Sequence, residues 1–322
     1  MRVLVTGATG FLGHHLVRAL LARGDTVIAL GRNPAQLAAL AGRGCETLAH
    51  DLAAGAPRVD GPLDACIHAA ALSSPWGSEQ AFRQANVDGT RHVLATARAT
   101  GVRRFVHISS PSVYFRFADQ LAVPEDLPLP DPVNAYARTK RIAETLVLDA
   151  TDLDPVILRP RGLYGAGDTA LLPRLMRAAA RGPLPLMREG SAMTDLTHVE
   201  DVVSACLAAL GAAPAPDRRV FNISGGQPMA IRQIVEAAAA RQGVSVRWRS
   251  LPVPFVLAAA RMAEAACAIL PGRPEPPVTA YGVGLFAYSQ TLDLTAARDR
   301  LGWQPQIDFE AGLDRTFAGM AA

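Results

Sequence analysis

The 322-residue sequence predicts an α/β fold, a doubly wound parallel sheet with a smaller, mostly helical C-terminal lobe. Three features predict it. Seven short β-rich runs lack polar alternation, the pattern of strands buried on both faces. Helical patterns separate them, the order in which a parallel sheet is wound. Past about Gly165 this alternation loosens, and "GPLPL", "GAAPAPDRR" and "PGRPEPP" punctuate the chain with Pro and Gly.

In chain order the strands are expected at "VLV" from Val3, "TVIAL" from Thr26, "CETLA" from Cys45, "ACIHAA" from Ala65, "FVHIS" from Phe105, "VILRP" from Val156 and "VFNIS" from Val220. The first helix is read in "LGHHLVRALLARG", where Leu12, Leu16 and Leu20 share a face and Gly24 supplies a stop. "THVEDVV" and "VFNIS" return to the sheet late. The division that follows is a sheet domain over 1–165, rejoined by 193–224, and a second lobe over 166–192 and 225–322 that sets specificity.

Composition narrows the function. The net charge of +3 comes from interspersed residues, not from the basic stripe a nucleic-acid surface needs, so a small-molecule partner is expected. Cys45, Cys66, Cys206 and Cys267 are scattered, without metal-ligand spacing, and read as reduced core thiols. "MRVLVTGATG" enters a strand at once, leaving no room for a signal peptide, so a cytoplasmic location is expected. The most lipid-like stretch, "FVLAAARMAEAACAIL" from Phe255, is too short to span a bilayer and carries Arg261 and Glu264. It reads as a buried or surface-seeking helix.

"VLVTGATGFLGHHL" sets Gly7, Gly10 and Gly13 between the first strand and the first helix, with Thr9, Phe11 and Leu12 in the same turn. Glycines there let the backbone turn tightly and approach a pyrophosphate, whose charge meets the free N–H groups of the helix N-terminus. The spacing is G-x-x-G-x-x-G, one variant away from the usual dinucleotide fingerprint. After the second strand, "VIALGRNP" offers Arg32 where a ribose 2′-hydroxyl calls for Asp or Glu. A guanidinium there pairs with a 2′-phosphate, so NADP(H) is preferred, with NAD(H) possible. Asp51 and Leu52 in "AHDLA" sit where adenine is held, although Asp51 is equally suited to capping the next turn. Ala69, Ala70 and Ala71 in "HAAAL" are small enough for the cofactor to lie against the chain. His68 beside them reads as a satisfied strand residue.

Of 32 basic residues only Lys140 is a lysine, and it stands one helical turn after Tyr136 in "NAYARTK". Arginine cannot replace a compact, tunable ammonium. Free tyrosine titrates near ~10, too high to trade protons at neutral pH. An adjacent ammonium and an oxidised nicotinamide both favour the phenolate. With Ser110, at the end of the fifth strand, holding the substrate oxygen, Tyr136 exchanges its proton while Lys140 also holds the ribose. Asn86 in "NVDGT" either orients a water behind Lys140 or serves its own helix.

The ordered set TGATGFLG, HAA, NVDGT, SSPSVY, YARTK and RPRGLYG resembles the extended short-chain dehydrogenase/reductases of the NAD(P)-dependent epimerase/dehydratase superfamily, over nearly the whole chain. The resemblance implies a Rossmann domain, Ser110, Tyr136 and Lys140 as catalytic triad, Asn86 in a proton relay, and Pro160 to Leu163 beside the nicotinamide. "SSPSVYF", "YARTKRIAE", "ILRPRGLYGAGD" and "YSQTLDLTAARDRLGWQP" look closest to the 3β-hydroxysteroid dehydrogenase branch, which includes 2-alkyl-3-oxoalkanoate reductases. It also implies a homodimer through a bundle that includes the Tyr136 helix.

The lobe then decides between an oxidoreductase of hydrophobic ketones and a nucleotide-sugar epimerase or dehydratase. Arg174, Arg177, Arg181 and Arg188 have the spacing of a solvated face more than of a diphosphate clamp. "FVLAAARMAEAACAIL" and "VGLFAY" offer apolar surface suited to a steroid, lipid or β-keto acyl group. Trp76, Arg161 and Tyr164 lie near the expected mouth and serve either substrate or structure.

Overall fold

The computed structural model describes residues 1–215, 217 and 219–318. Seven parallel strands form the main sheet: β1 (Arg2–Thr6), β2 (Thr26–Gly31), β3 (Glu46–Ala49), β4 (Ala65–His68), β5 (Arg104–Ile108), β6 (Pro155–Pro160) and β7 (Val220–Ile223). Each predicted run supplies one of them. Their spatial order is β7-β6-β5-β4-β1-β2-β3, which reverses direction at β1. Such a reversal opens a crevice at the carboxyl ends of β1 and β4, where ligands of these folds bind.

Side chains leave a strand alternately to its two faces. Val3 and Val5 of β1 pack with Leu16 and Leu20 of the first helix, Phe11–Ala22, and with Val202 and Cys206 of helix Val199–Gly211. Leu4 goes to the opposite core with Val93, Phe105 and Val147. Gly24 adopts φ +84° and its N–H bonds to the Leu21 carbonyl, ending the first helix as expected.

The lobe is built on helices Leu172–Arg181, Ile231–Arg241, Val253–Ile269, Ala280–Ala287 and Phe309–Ala318. It also carries strands too short for a sequence pattern to reveal. A four-stranded sheet runs Met229–Ala230, Met193–Thr194, Gln290–Leu292, Gln120–Val123, joining the lobe to the segment after β5. Thr197–His198, read as returning to the main sheet, pairs instead with Leu163–Tyr164. The helix that follows it does cover the main sheet.

Helix Val253–Ile269 divides its apolar side chains. Leu257 and Ala260 pack with Met187 and Val283, whereas Phe255, Met262 and Ile269 are 74%, 68% and 86% exposed. No described helix is long and apolar enough to cross a membrane.

Candidate active site

At the β1 end of the crevice, Gly7 adopts φ +69°, and a Cβ there would lie 2.8 Å from the Ala70 nitrogen. The "HAA" segment therefore runs directly against the turn. A Cβ at Gly13 would stand 2.0 Å from the Gly7 carbonyl oxygen, so this glycine sets how closely helix and strand approach. Gly10 begins the helix with no side-chain cap, which leaves the N–H groups of its first turn for an anion. The cradle fits a dinucleotide pyrophosphate. Thr9, Phe11 and Leu12 are partly buried around it, and Phe11 reaches toward Gly167 of the lobe.

A Cβ on Gly31 would meet the Thr9 side chain at 2.6 Å, so the tip of β2 also abuts the turn. Arg32 follows it and is exposed. Asp51 is exposed and accepts from the Ala53 N–H at 3.1 Å, the capping role. Leu52 is buried in the core beneath. Ala69 and Ala70 are partly buried and Ala71 exposed, while Pro160 ends β6 and Leu163 follows two residues past Arg161.

A buried polar chain crosses the same strand ends. Thr90 donates to the Asn86 carbonyl at 2.6 Å, so its oxygen accepts from His68 Nε2 at 3.0 Å. His68 Nδ1 then accepts from the Thr6 hydroxyl at 2.7 Å, and the Thr6 oxygen accepts from the Ala70 N–H at 3.2 Å. Each group has one consistent role. Burial pulls the His68 pKa down to about 3, so the ring is neutral and structural, as its sequence context implied.

Asn86 lies in a π-helical turn, Arg83–Asp88, a geometry concentrated at functional sites. Its Oδ1 accepts from the Leu72 N–H at 2.7 Å. Its Nδ2 donates to the Leu72 carbonyl at 3.2 Å and to the Thr139 hydroxyl at 3.1 Å. It thus reaches the Tyr136 helix through Thr139, the neighbour of Lys140.

Helix Ala135–Asp149 starts at Asn134, whose side chain accepts from the Ala137 N–H at 2.8 Å. Tyr136 and Lys140 share its inner face. Lys140, 2% exposed, donates to the Ile108 carbonyl at 2.6 Å and to His107 Nε2 at 3.2 Å. Burial draws its pKa down to about 8, partly opposed by Glu144. One turn on, Glu144 grips Arg159 of β6 through two bonds of 2.8 and 2.6 Å and fixes the helix to the sheet.

Ser110 caps the short turn Pro111–Tyr114 after β5, and its side chain is near enough to the Tyr136 phenol to favour the phenolate. The expected acidification of Tyr136 by Lys140 does not appear in the protein alone. Burial raises the phenol pKa and Ser110 partly lowers it, while the ammonium is turned to Ile108 and His107.

Two residues of this site escaped the sequence reading. His107 falls within the predicted strand "FVHIS", where it pairs in register with His68 and faces Lys140. The signal was two histidines at matching ends of adjacent strands. Tyr281, from helix Ala280–Ala287, meets the Phe115 ring edge-on at 5.0 Å, and burial raises its phenol pKa, which the Arg161 charge partly lowers. Nothing local marks it. Of the mouth residues, Tyr164 is buried in the lobe core against Phe309 and His198, and Trp76 donates to the Arg273 carbonyl at 3.0 Å.

A family model described as the NAD dependent epimerase/dehydratase family matches residues 3–224. The chain belongs to that family. It is an extended short-chain dehydrogenase/reductase acting on CH–OH groups with a nicotinamide dinucleotide. It is 35% identical to 2-alkyl-3-oxoalkanoate reductase of Stenotrophomonas maltophilia, over all of both chains. It is 31% identical to a decarboxylating sterol-4-alpha-carboxylate 3-dehydrogenase of Schizosaccharomyces pombe, over 99% of this chain and 97% of the other. The fold matches UDP-glucuronic acid 4-epimerase from Bacillus cereus, solved with NAD, with TM-score 0.76 and 24% identity over 100% and 99% of the two chains.

Proposed function

We propose that this family member is an NADP(H)-dependent oxidoreductase that interconverts a ketone and a secondary alcohol on a hydrophobic substrate, through Ser110, Tyr136 and Lys140. What supports this reading is that Ser110 acts on the Tyr136 phenol at the end of β5, while the sole lysine, one helical turn on, is buried and bonded to the Ile108 carbonyl at the end of that strand. Bound nicotinamide supplies or accepts the hydride. Ser110 holds the substrate oxygen. Tyr136 gives that oxygen its proton in reduction and takes it back in oxidation. Two of the three ammonium N–H groups of Lys140 bond within the protein, leaving one for the ribose or for the phenol once ligands fill the crevice.

NADP(H) is favoured because exposed Arg32 follows the tip of β2 beside the glycine turn. A hydrophobic ketone is favoured by the aromatic packing near Tyr136, whose ring lies 6.3 Å from that of Phe82. The names of the two relatives place an oxo or hydroxyl carbon near a carboxylate, on an alkyl chain or a sterol. Against a nucleotide-sugar substrate, Arg174 is paired with Glu275 and Arg188 with Asp119, while Arg177 and Arg181 are exposed.

The test is a panel of hydrophobic ketones, secondary alcohols and nucleotide sugars followed by nicotinamide absorbance. NADPH consumption with the ketones is expected. Conversion of a nucleotide sugar without net change in absorbance contradicts the proposal.

A further inference from the structure

Arg159 and Arg161 lie two residues apart and are both more than nine-tenths buried, yet their surroundings differ. Arg159 is paired with the Glu144 carboxylate through two bonds and also donates to the Tyr114 hydroxyl. Arg161 donates from Nε at 3.0 Å and from Nη2 at 2.8 Å to the single hydroxyl of Thr194, and from Nη1 to the Gln290 side-chain oxygen. Every acceptor is neutral. A guanidinium has five N–H groups, and these three bonds leave two, one on each terminal nitrogen.

A buried cation without a paired anion is costly to the fold, and sites that keep one usually serve a ligand. Asp195 acts on Arg161 from beyond ion-pair distance. It accepts from the Ser224 hydroxyl at 3.0 Å, and burial raises its own pKa. Arg161 directly follows the carboxyl end of β6, which pairs with β5 and so ends beside Ser110, and Tyr281 packs edge-on at 5.0 Å against Phe115, just past the Ser110 turn.

We propose that Arg161, with the Tyr281 hydroxyl, is the specificity-determining subsite for a substrate carboxylate carried near the carbon that is oxidised or reduced. The inference rests on the oxidoreductase reading above. With the reacting oxygen on Ser110 and Tyr136, a carboxylate one or two carbons away extends toward Tyr281 and takes the two remaining guanidinium N–H groups. Arginine suits this because its terminal nitrogens present donors in a fixed fork. A neutral ester leaves the buried charge unpaired. Discrimination between acid and ester is then large, as it is wherever a site built for a polar group meets an analogue lacking it.

The experiment is calorimetric binding of a medium-chain 2-alkyl-3-hydroxy acid and of its methyl ester in the presence of NADPH, a pairing in which no hydride transfer occurs. The native protein should bind the acid at least ~30-fold more tightly than the ester. In Arg161→Gln that ratio should fall to within about threefold, with Arg161→Lys intermediate and Tyr281→Phe reducing it severalfold. Equal binding of acid and ester by the native protein overturns the proposal, as does an Arg161→Gln protein that keeps the native ratio. Should Arg161→Gln fail to fold, the native ratio and Tyr281→Phe still decide. Turnover is read separately with NADP+ and the acid: tight binding of the acid without oxidation contradicts the redox reading and leaves the subsite standing.

Discussion

Lys140 donates its ammonium to the Ile108 carbonyl across 2.6 Å, tying the Tyr136 helix to the end of β5. Burial holds its pKa at about 8, against 10.5 for a free lysine. Between those values the unfolded chain binds a proton that the folded protein lacks, so folding gains stability as pH rises through that window. Below pH 8 both states are protonated, and the penalty for the buried charge stays constant. Relative to Lys140→Met, the native protein should gain up to about 1.4 kcal/mol per pH unit between pH 8 and 10.5 in urea unfolding. A difference that is flat with pH contradicts the assigned pKa.

Gly13→Ala tests the cofactor cradle. The new methyl meets the backbone of the Gly7–Ala8 turn, at 2.0 Å from the Gly7 oxygen and 2.7 Å from the Ala8 Cα. Neither can swing away, so the helix must shift. Thermal denaturation should show a loss of about 1–3 kcal/mol, and NADPH titration a loss of affinity of at least ~10-fold. Native affinity in the variant shows that the close approach is not required.

Arg32→Ala addresses the choice of cofactor. Removing a guanidinium that pairs with a 2′-phosphate should weaken NADPH by about 10-fold or more and leave NADH nearly unchanged. Fluorescence titration with both cofactors measures this. Equal effects on the two reduce Arg32 to a surface charge.

Glu144→Ala probes the anchor of the Tyr136 helix. It strands Arg159 in the core, and breaking a buried pair typically destabilises by about 3–5 kcal/mol. The paired replacement Glu144→Leu with Arg159→Met should lose much less in the same denaturation assay. Equal losses in both proteins argue that volume, not charge, holds the helix.

The main sheet was legible because strands buried on both faces carry continuous apolar runs, and all seven were found at their predicted places. The small sheet was not. Met193–Thr194 and Met229–Ala230 are pairs of residues whose pairing comes from the tertiary framework. In the site, the spacing of Tyr136 and Lys140 and the glycine turn were local patterns and could be read. The wiring of Lys140 to His107 could not, because it depends on the register of β5 against β4 and on where a helix distant in sequence docks. The helix Val253–Ile269, read as buried or surface-seeking, is in part each: Leu257 and Ala260 are buried, whereas Phe255, Met262 and Ile269 are exposed.

The central claim is that the Tyr136 hydroxyl passes the proton while Ser110 holds the substrate oxygen. Tyr136→Phe removes only that oxygen from a ring packed 6.3 Å from Phe82. Steady-state turnover of the best ketone should fall by about 10²–10⁴-fold, with NADPH affinity within about threefold of native. A Tyr136→Phe protein that turns over at the native rate contradicts the account.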